Sequence, residues 1–393
     1  MRSAMNKKKN RTKSHHYVPQ WYQKRFIDPQ VHPKKLRYLD LSPDRVDHSD
    51  GTFHVRRALS LNGPAECFET DHLYTLRFAG FSTDDLETRF FGAIDNYGQR
   101  AADFFANYEY GDGAHDNFNA MLQYLDAQKW RTPKGLDYLR RTIQEDNHQL
   151  ALLALGNAFR LHCTIWTECV WEVLACDYSP TKFIVSDHPV TTYNKGLFPA
   201  SPACTYPMDA PIEALGTHTF FPLNLNRCLV LTNLGYVRNP GVNPTKIRVN
   251  PRYFEQTMFD LRKVQTGRQI DEKYVLTINH VIKSRARRFI AAAREEWLYP
   301  ETHMKLVNWN KLGGRFFLMP DPRKVQFTTG FMMGFNDGRA WNSDEYGRRM
   351  SREKKDPHIQ KLRSQELRTF EAAKRAWDSE FGKLSIDEKR RYW

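Results

Sequence analysis

Residues 147–176, NHQLALLALGNAFRLHCTIWTECVWEVLAC, decide how the fold is read. Taken as one apolar helix, they put Leu150, Leu153, Ile165, Trp166, Val170 and Val173 on a core-facing stripe. Arg160, His162, Glu168 and Glu172 lie inside the same run, so it is too polar to cross a membrane and reads as a central core helix. Upstream, Leu86, Phe90, Ile94 and Tyr97 recur at helical spacing within 84–107. Phe118, Met121, Leu122 and Leu125 fall at i, i+3, i+4, i+7, and Thr132-Pro133 stops that helix. Downstream, 182–186, 219–223 and 228–232 are short apolar runs that read as strands, and 275–297 returns to a helix rich in arginine. Short strands are also expected at 37–41, 52–55 and 72–76. The fold class expected is α+β: a helix-rich domain with a small, mostly antiparallel sheet, plus a basic C-terminal extension.

Composition narrows the class further. Of 393 residues 40% are hydrophobic and 13% aromatic, enough to build a core and to exclude wholesale disorder. No run approaches the ~18 apolar residues of a membrane span, so no membrane partner is expected. The basic N-terminus has no apolar segment behind it, so it does not read as a secretory signal. Six cysteines show no C-x-x-C pair; buried free thiols in a reducing compartment are expected, hence a cytoplasmic location. The formal charge of +14 is uneven: residues 1–14 carry +6, 15–234 carry −6, 235–299 carry +7 and 300–393 carry +7. Such asymmetry favours a polyanion, nucleic acid ahead of membrane surface. Residues 1–14 read as a disordered basic arm, 15–299 as the main domain, and 300–393 as the basic extension, with a charged helix at 358–381 ending at Gly382 and a capping box at Ser385–Glu388.

The chain's densest chemistry is His15-His16-Tyr17-Val18-Pro19-Gln20, running into Trp21-Tyr22-Gln23-Lys24-Arg25-Phe26. Pro19 suits the first turn of a helix, which would set the histidines ahead of an N-terminus that favours anions. Adjacent residues in an extended stretch point opposite ways, so one histidine is expected to face the pocket while the other packs. The opening resembles that of a large bacterial family known only as a domain of unknown function (family 4238). Phe68-Glu69 to Leu76, Ala127-Gln128-Lys129-Trp130-Arg131-Thr132-Pro133, Phe183 to Pro189, Phe221-Pro222-Leu223 and Asn279 continue the resemblance in order over about residues 15–293. It implies a domain extent and a set of positions, with no activity attached. His188 departs from it, since the family more often has asparagine there.

The candidate site residues are His15, His16, Gln20, Gln128, Arg131 and Asp187, with Glu69 and Asp71 weaker. His15 and His16 could serve as bases or metal ligands, and Asp187 follows an apolar strand where catalytic carboxylates often sit. Asp187 could equally hold an Asx turn before Pro189. Gln128 and Arg131, three apart, share a helix face, and Arg131 offers a fork for phosphate or caps its helix. If they meet in one cleft, His15, His16 and Asp187 would suit Mg²⁺, Mn²⁺ or Zn²⁺. H-H-x-x-P also resembles the start of ββα-metal nuclease motifs, but the Gly-Gly, Asn and closing His are missing. The leading expectation is an enzyme acting on nucleic acid by metal-assisted phosphodiester hydrolysis. The alternative is a non-catalytic nucleic-acid-binding or interaction protein, and a third is an enzyme on a small anionic substrate. No P-loop, dinucleotide fingerprint, G-x-S-x-G or H-E-x-x-H occurs, which removes the ATPase, Rossmann and α/β-hydrolase readings.

Overall fold

The computed structural model describes residues 14–78, 81–248, 261–312, 316–327, 331–334, 336–343, 356–386 and 388; the basic arm, Ser14 apart, lies outside them. β1 (Ser14–His16) leads into the short helix α1 (Gln20–Lys24). Seven strands follow: β2 (Leu36–Asp40), β3 (Arg45–Asp47), β4 (Phe53–Val55), β5 (Leu59–Asn62), β6 (Glu69–Asp71), β7 (Leu76–Phe78) and β8 (Phe81–Thr83). The helical middle comprises α2 (Gly92–Ala106), α3 (Ala114–Trp130), α4 (Pro133–Ile143), α5 (His148–Ala158) and α6 (Cys163–Trp166). Then come β9 (Cys169–Ala175), β10 (Val185–Ser186), β11 (Thr191–Tyr193), β12 (His218–Asn224), β13 (Arg227–Asn233), α7 (Leu234–Arg238), α8 (Glu272–Arg285) and β14 (Phe289–Ala292). β15 (Phe331–Gly334), β16 (Ala340–Ser343) and α9 (Pro357–Phe381) complete the order.

The α+β class and the antiparallel pairing are as expected, but the strands make two four-stranded sheets rather than one small one. These run β10-β14-β2-β5 and β11-β12-β13-β9, with β1–β6, β3–β4, β7–β8 and β15–β16 as separate two-stranded pairs. The anticipated neighbours β12 and β13 pair over Phe220↔Val230 and Phe221↔Leu229. Phe118, Met121, Leu122 and Leu125 of α3 are all buried, as their spacing requires. Gly98 lets α2 cross α3 closely, because a Cβ there would stand 2.2 Å from a ring carbon of Tyr124. Phe118 and Phe105 close on Trp171 at 4.6 and 5.2 Å, and each fully buried phenylalanine contributes ~1.5–3 kcal/mol.

Two expected helices are overturned. The run 147–176 is not one helix: Asn147 caps α5, Arg160 takes a left-handed φ of 72°, α6 is a single turn, and the rest is strand β9. Leu150 and Leu153, assigned inward, are 43% and 49% exposed. All seven β9 residues are buried: β13 and residues 265–270 bond its two edges, Trp171 packs on Phe105 and Phe118 on one face, and Val170 joins Tyr236, Val237 and Trp377 on the other. A strand covered on both faces shows no alternation, which is why it passed for a helix. Likewise 275–297 divides at Ala286 into α8 and β14, whose Ile290 and Ala291 pair with β10 and β2. Cys169 opens β9 and Cys176 follows its end; all six cysteines are buried free thiols.

Trp309, Leu312, Phe317 and Leu318 enter the main core with the sheets. α9 spans the residues anticipated for it, ends at Gly382, and docks Trp377 on Phe316 at 5.0 Å. The expected capping box is present: Ser385 N–H donates to Glu388 and Glu388 N–H to Ser385 Oγ. Among the described residues, no helix is long and apolar enough to cross a membrane.

Candidate functional site

β1 pairs with β6 so that His15 faces Thr70 and His16 faces Glu69. Strand alternation therefore buries His15 completely and turns His16 outward. His15 Nδ1 accepts the Tyr74 N–H at 2.9 Å, and its ring stacks on Tyr74 at 5.6 Å. An accepting Nδ1 leaves the proton on Nε2, which stands 3.9 Å from Asp84. His16 Nε2 lies 3.2 Å from the Ala65 carbonyl oxygen, 3.4 Å from Gln20 Nε2 and 3.9 Å from Glu69. His16 and Gln20 thus form a group of their own, and α1, with five residues, is too short to hold an anion at its N-terminus.

Gln128 and Arg131, on the last turn of α3, do come together and are both buried. Gln128 donates to the Tyr17 carbonyl at 2.8 Å and accepts from Arg131 Nε at 2.8 Å. Arg131 Nη1 meets Asp95 at 2.9 Å, and the guanidinium lies between the rings of Phe91 and Tyr124. Burial opposes the charge on Arg131, but Asp95 outweighs it and holds the guanidinium pKa above its ordinary value. The fork is occupied by protein groups, so Arg131 pins α3 to α2 and the opening segment. Nearby, burial pushes Glu87 up to about 7, against the pull of Arg131 and with the push of Asp95.

Asp187 is also buried, and both its oxygens are taken. Oδ1 accepts the Arg287 N–H at 2.8 Å, and Oδ2 accepts those of Arg288 and Phe289 at 2.6 and 2.8 Å. It fixes the turn where α8 becomes β14. Burial raises its pKa while the three amides hold it down. His15, His16 and Asp187 therefore do not fit a shared divalent ion: one imidazole and one carboxylate are committed to amides, and the other imidazole faces Glu69. Among the described residues, no three His, Cys, Asp or Glu side chains are placed to hold a metal.

None of the six lines the cavity that opens beside them, of about 590 Å³ including its mouth. Its walls are Lys129 and Trp130 from the end of α3, Lys134, Gly135 and Tyr138 from α4, His162, His188, and the loop carrying Met208, Asp209 and Glu213. Thr132 caps α4 by accepting the Gly135 N–H, and its hydroxyl lies 2.7 Å from His188 Nδ1. Gly135 is required by the tight α3–α4 joint, since a Cβ would stand 2.2 Å from the Lys129 carbonyl oxygen.

Four basic groups converge on one carboxylate. Asp209 lies 2.7 Å from Lys134 Nζ, 3.3 Å from His188 Nε2, 3.8 Å from Arg285 and 3.9 Å from Lys129. Burial would raise the Asp209 pKa, but Lys134, His188 and Lys129 outweigh it and hold it well below the usual range. Burial, against the hydrogen bond to Asp209, pushes His188 down to about 4, so the ring is neutral at pH 7 and donates Nε2–H to Asp209. Burial also lowers Lys129. Lys134 has a second anchor, the Arg285 carbonyl at 2.7 Å, whereas Lys129 Nζ makes no hydrogen bond to the described residues. Trp130 stacks on His162 at 4.8 Å, and its indole N–H finds no acceptor among them either.

Sequence reasoning missed Lys129, Lys134 and Asp209. Lys129 lies in the 127–133 motif and Lys134 directly follows it, and His188 stood out as a third histidine; these were the available signals. Asp209, 75 residues beyond Lys134, sits in an irregular loop with no pattern around it. No curated protein and no solved structure matches the chain. Residues 141–296, which include Asp187, His188, Asp209 and Arg285, match the model of a family described as a protein of unknown function (DUF4238).

Proposed function

We propose that this chain is a nucleic-acid-binding protein whose cavity beside His188 receives a phosphate group. The observation that carries the reading is the surplus of donors around Asp209. Lys129, Lys134 and Arg285 share Asp209 there, with Glu213 the second carboxylate on the wall, and Lys129 lines the cavity without a hydrogen bond to the described residues. Uncompensated donors in a partly desolvated pocket favour an anion, and Lys129 could approach it without first breaking a hydrogen bond. The formal charge of +14 favours a polymeric anion over a small one.

Hydrolysis is the weaker form of the proposal. The residues expected to hold a metal serve as anchors, and both ring nitrogens of His188 are engaged, with Thr132 and Asp209. His188 acts as a positioning residue that keeps Asp209 in place. The test is a titration with labelled DNA and RNA at two salt concentrations. If six basic groups contact phosphates, the log–log slope of affinity against salt should be roughly −4 to −5. Absent binding, or binding indifferent to salt, removes the reading.

A further inference from the structure

We infer that Lys129 is a nucleophilic amine that forms a Schiff base with an aldehyde-bearing ligand admitted to the same cavity. The inference shares the cavity with the phosphate reading but stands on the lysine's own environment. Other interior lysines are tied down: Lys134 bonds Asp209 and the Arg285 carbonyl, Lys182 bonds the Cys176 and Asp177 carbonyls, and Lys283 bonds the Leu298 carbonyl and Glu301. Lys129 has a side chain only 13% exposed, lines the cavity, and has Asp209 at 3.9 Å as its carboxylate neighbour. Lys134 and His188 hold that carboxylate more closely, at 2.7 and 3.3 Å. Burial works against a proton on Lys129 and, joined by the charges of Lys134 and Arg285, outweighs Asp209 and Glu213, which favour it. An amine so placed spends more time unprotonated than an exposed lysine, which is what nucleophilic lysines require.

The step closes without an added reagent. The Nζ lone pair attacks the carbonyl carbon, forming the C–N bond as the C=O π pair moves to oxygen. Asp209, within 4 Å, relays the two nitrogen protons to that oxygen in turn: the first makes the carbinolamine hydroxyl, the second lets it leave as water, and the C=N bond remains. Trp130, Tyr138, Met208 and Ile212 supply apolar and aromatic wall, so the class of ligand is an aldehyde on a flat or apolar body carrying an anionic group.

The experiment treats the full chain with a substoichiometric amount of pyridoxal 5′-phosphate, reduces with borohydride, and locates the modified lysine by peptide mass spectrometry. Lys129 should be labelled at least tenfold faster than any other lysine, and the preference should widen as pH falls from 9 to 7. Lys129→Arg should remove the selective label while the circular-dichroism melt stays unchanged, which shows that the cavity has not collapsed. Labelling of Lys129 no faster than that of exposed lysines overturns the inference. Selective trapping without nucleic-acid binding would uphold it and remove the phosphate reading; salt-dependent binding without trapping would do the reverse.

Discussion

Replacing His188 by asparagine should flatten the acid side of the stability profile. The imidazole is fully enclosed, and burial holds it at about 4 against an ordinary value of 6.5. The unfolded chain therefore binds more protons than the folded one between those values, so this contribution is full above pH 6.5 and is lost as pH falls toward 4. A displacement of that size corresponds to about 3 kcal/mol in all, of which about 2 kcal/mol is lost between pH 7 and pH 5. Asparagine can reach one of the two partners, Thr132 or Asp209, but not both. The variant should thus be less stable at pH 7 by about 1–3 kcal/mol, the cost of an unpaired buried group. Urea unfolding of both proteins at pH 7 and pH 5 isolates the effect, because acid losses elsewhere cancel in the double difference. The wild type should lose about 2 kcal/mol more than the variant over that interval. Equal losses in the two proteins would refute the account of His188 as a neutral, enclosed donor to Asp209.

Two further outcomes follow from the Asp187 turn and the Arg131 anchor at the end of α3. Asp187→Ala strips the acceptor from three amides at the α8–β14 turn and should cost about 3–4 kcal/mol in urea unfolding; a cost below 1 kcal/mol would contradict the anchoring role. Arg131→Met leaves Asp95 and the Gln128 carbonyl without their partner and should cost about 2–4 kcal/mol, and adding Asp95→Asn should recover at least about 1 kcal/mol, a coupling that independent sites would not show.

What the sequence made legible was local. α3 and α9 were readable because an amphipathic helix repeats its apolar residues against one buried face, and Gly382 marks where α9 stops. The opposite fates of His15 and His16 followed from strand geometry alone. β9 and β14 were not readable as strands, because cover on both faces erases the period of two and leaves only an apolar run. The role of Asp187 was undecided between carboxylate chemistry and turn; its partners 100 to 102 residues away in sequence make it an anchor between elements. The Thr132–His188 contact spans 56 positions and Lys134–Asp209 spans 75, so the cavity exists only once α4 is laid beside the 203–213 loop. No local pattern encodes such a meeting.

A Lys129 ammonium that contacts phosphate is read from the salt dependence of binding by Lys129→Met. A lysine that releases one counterion contributes about 0.7 to 0.9 to the slope of log affinity against log salt. The variant should bind a labelled oligonucleotide more weakly at low salt, with a slope shallower than wild type by about that amount, and with an unchanged melt. An identical slope and affinity in the two proteins would contradict the claim and leave the donors around Asp209 as scaffold.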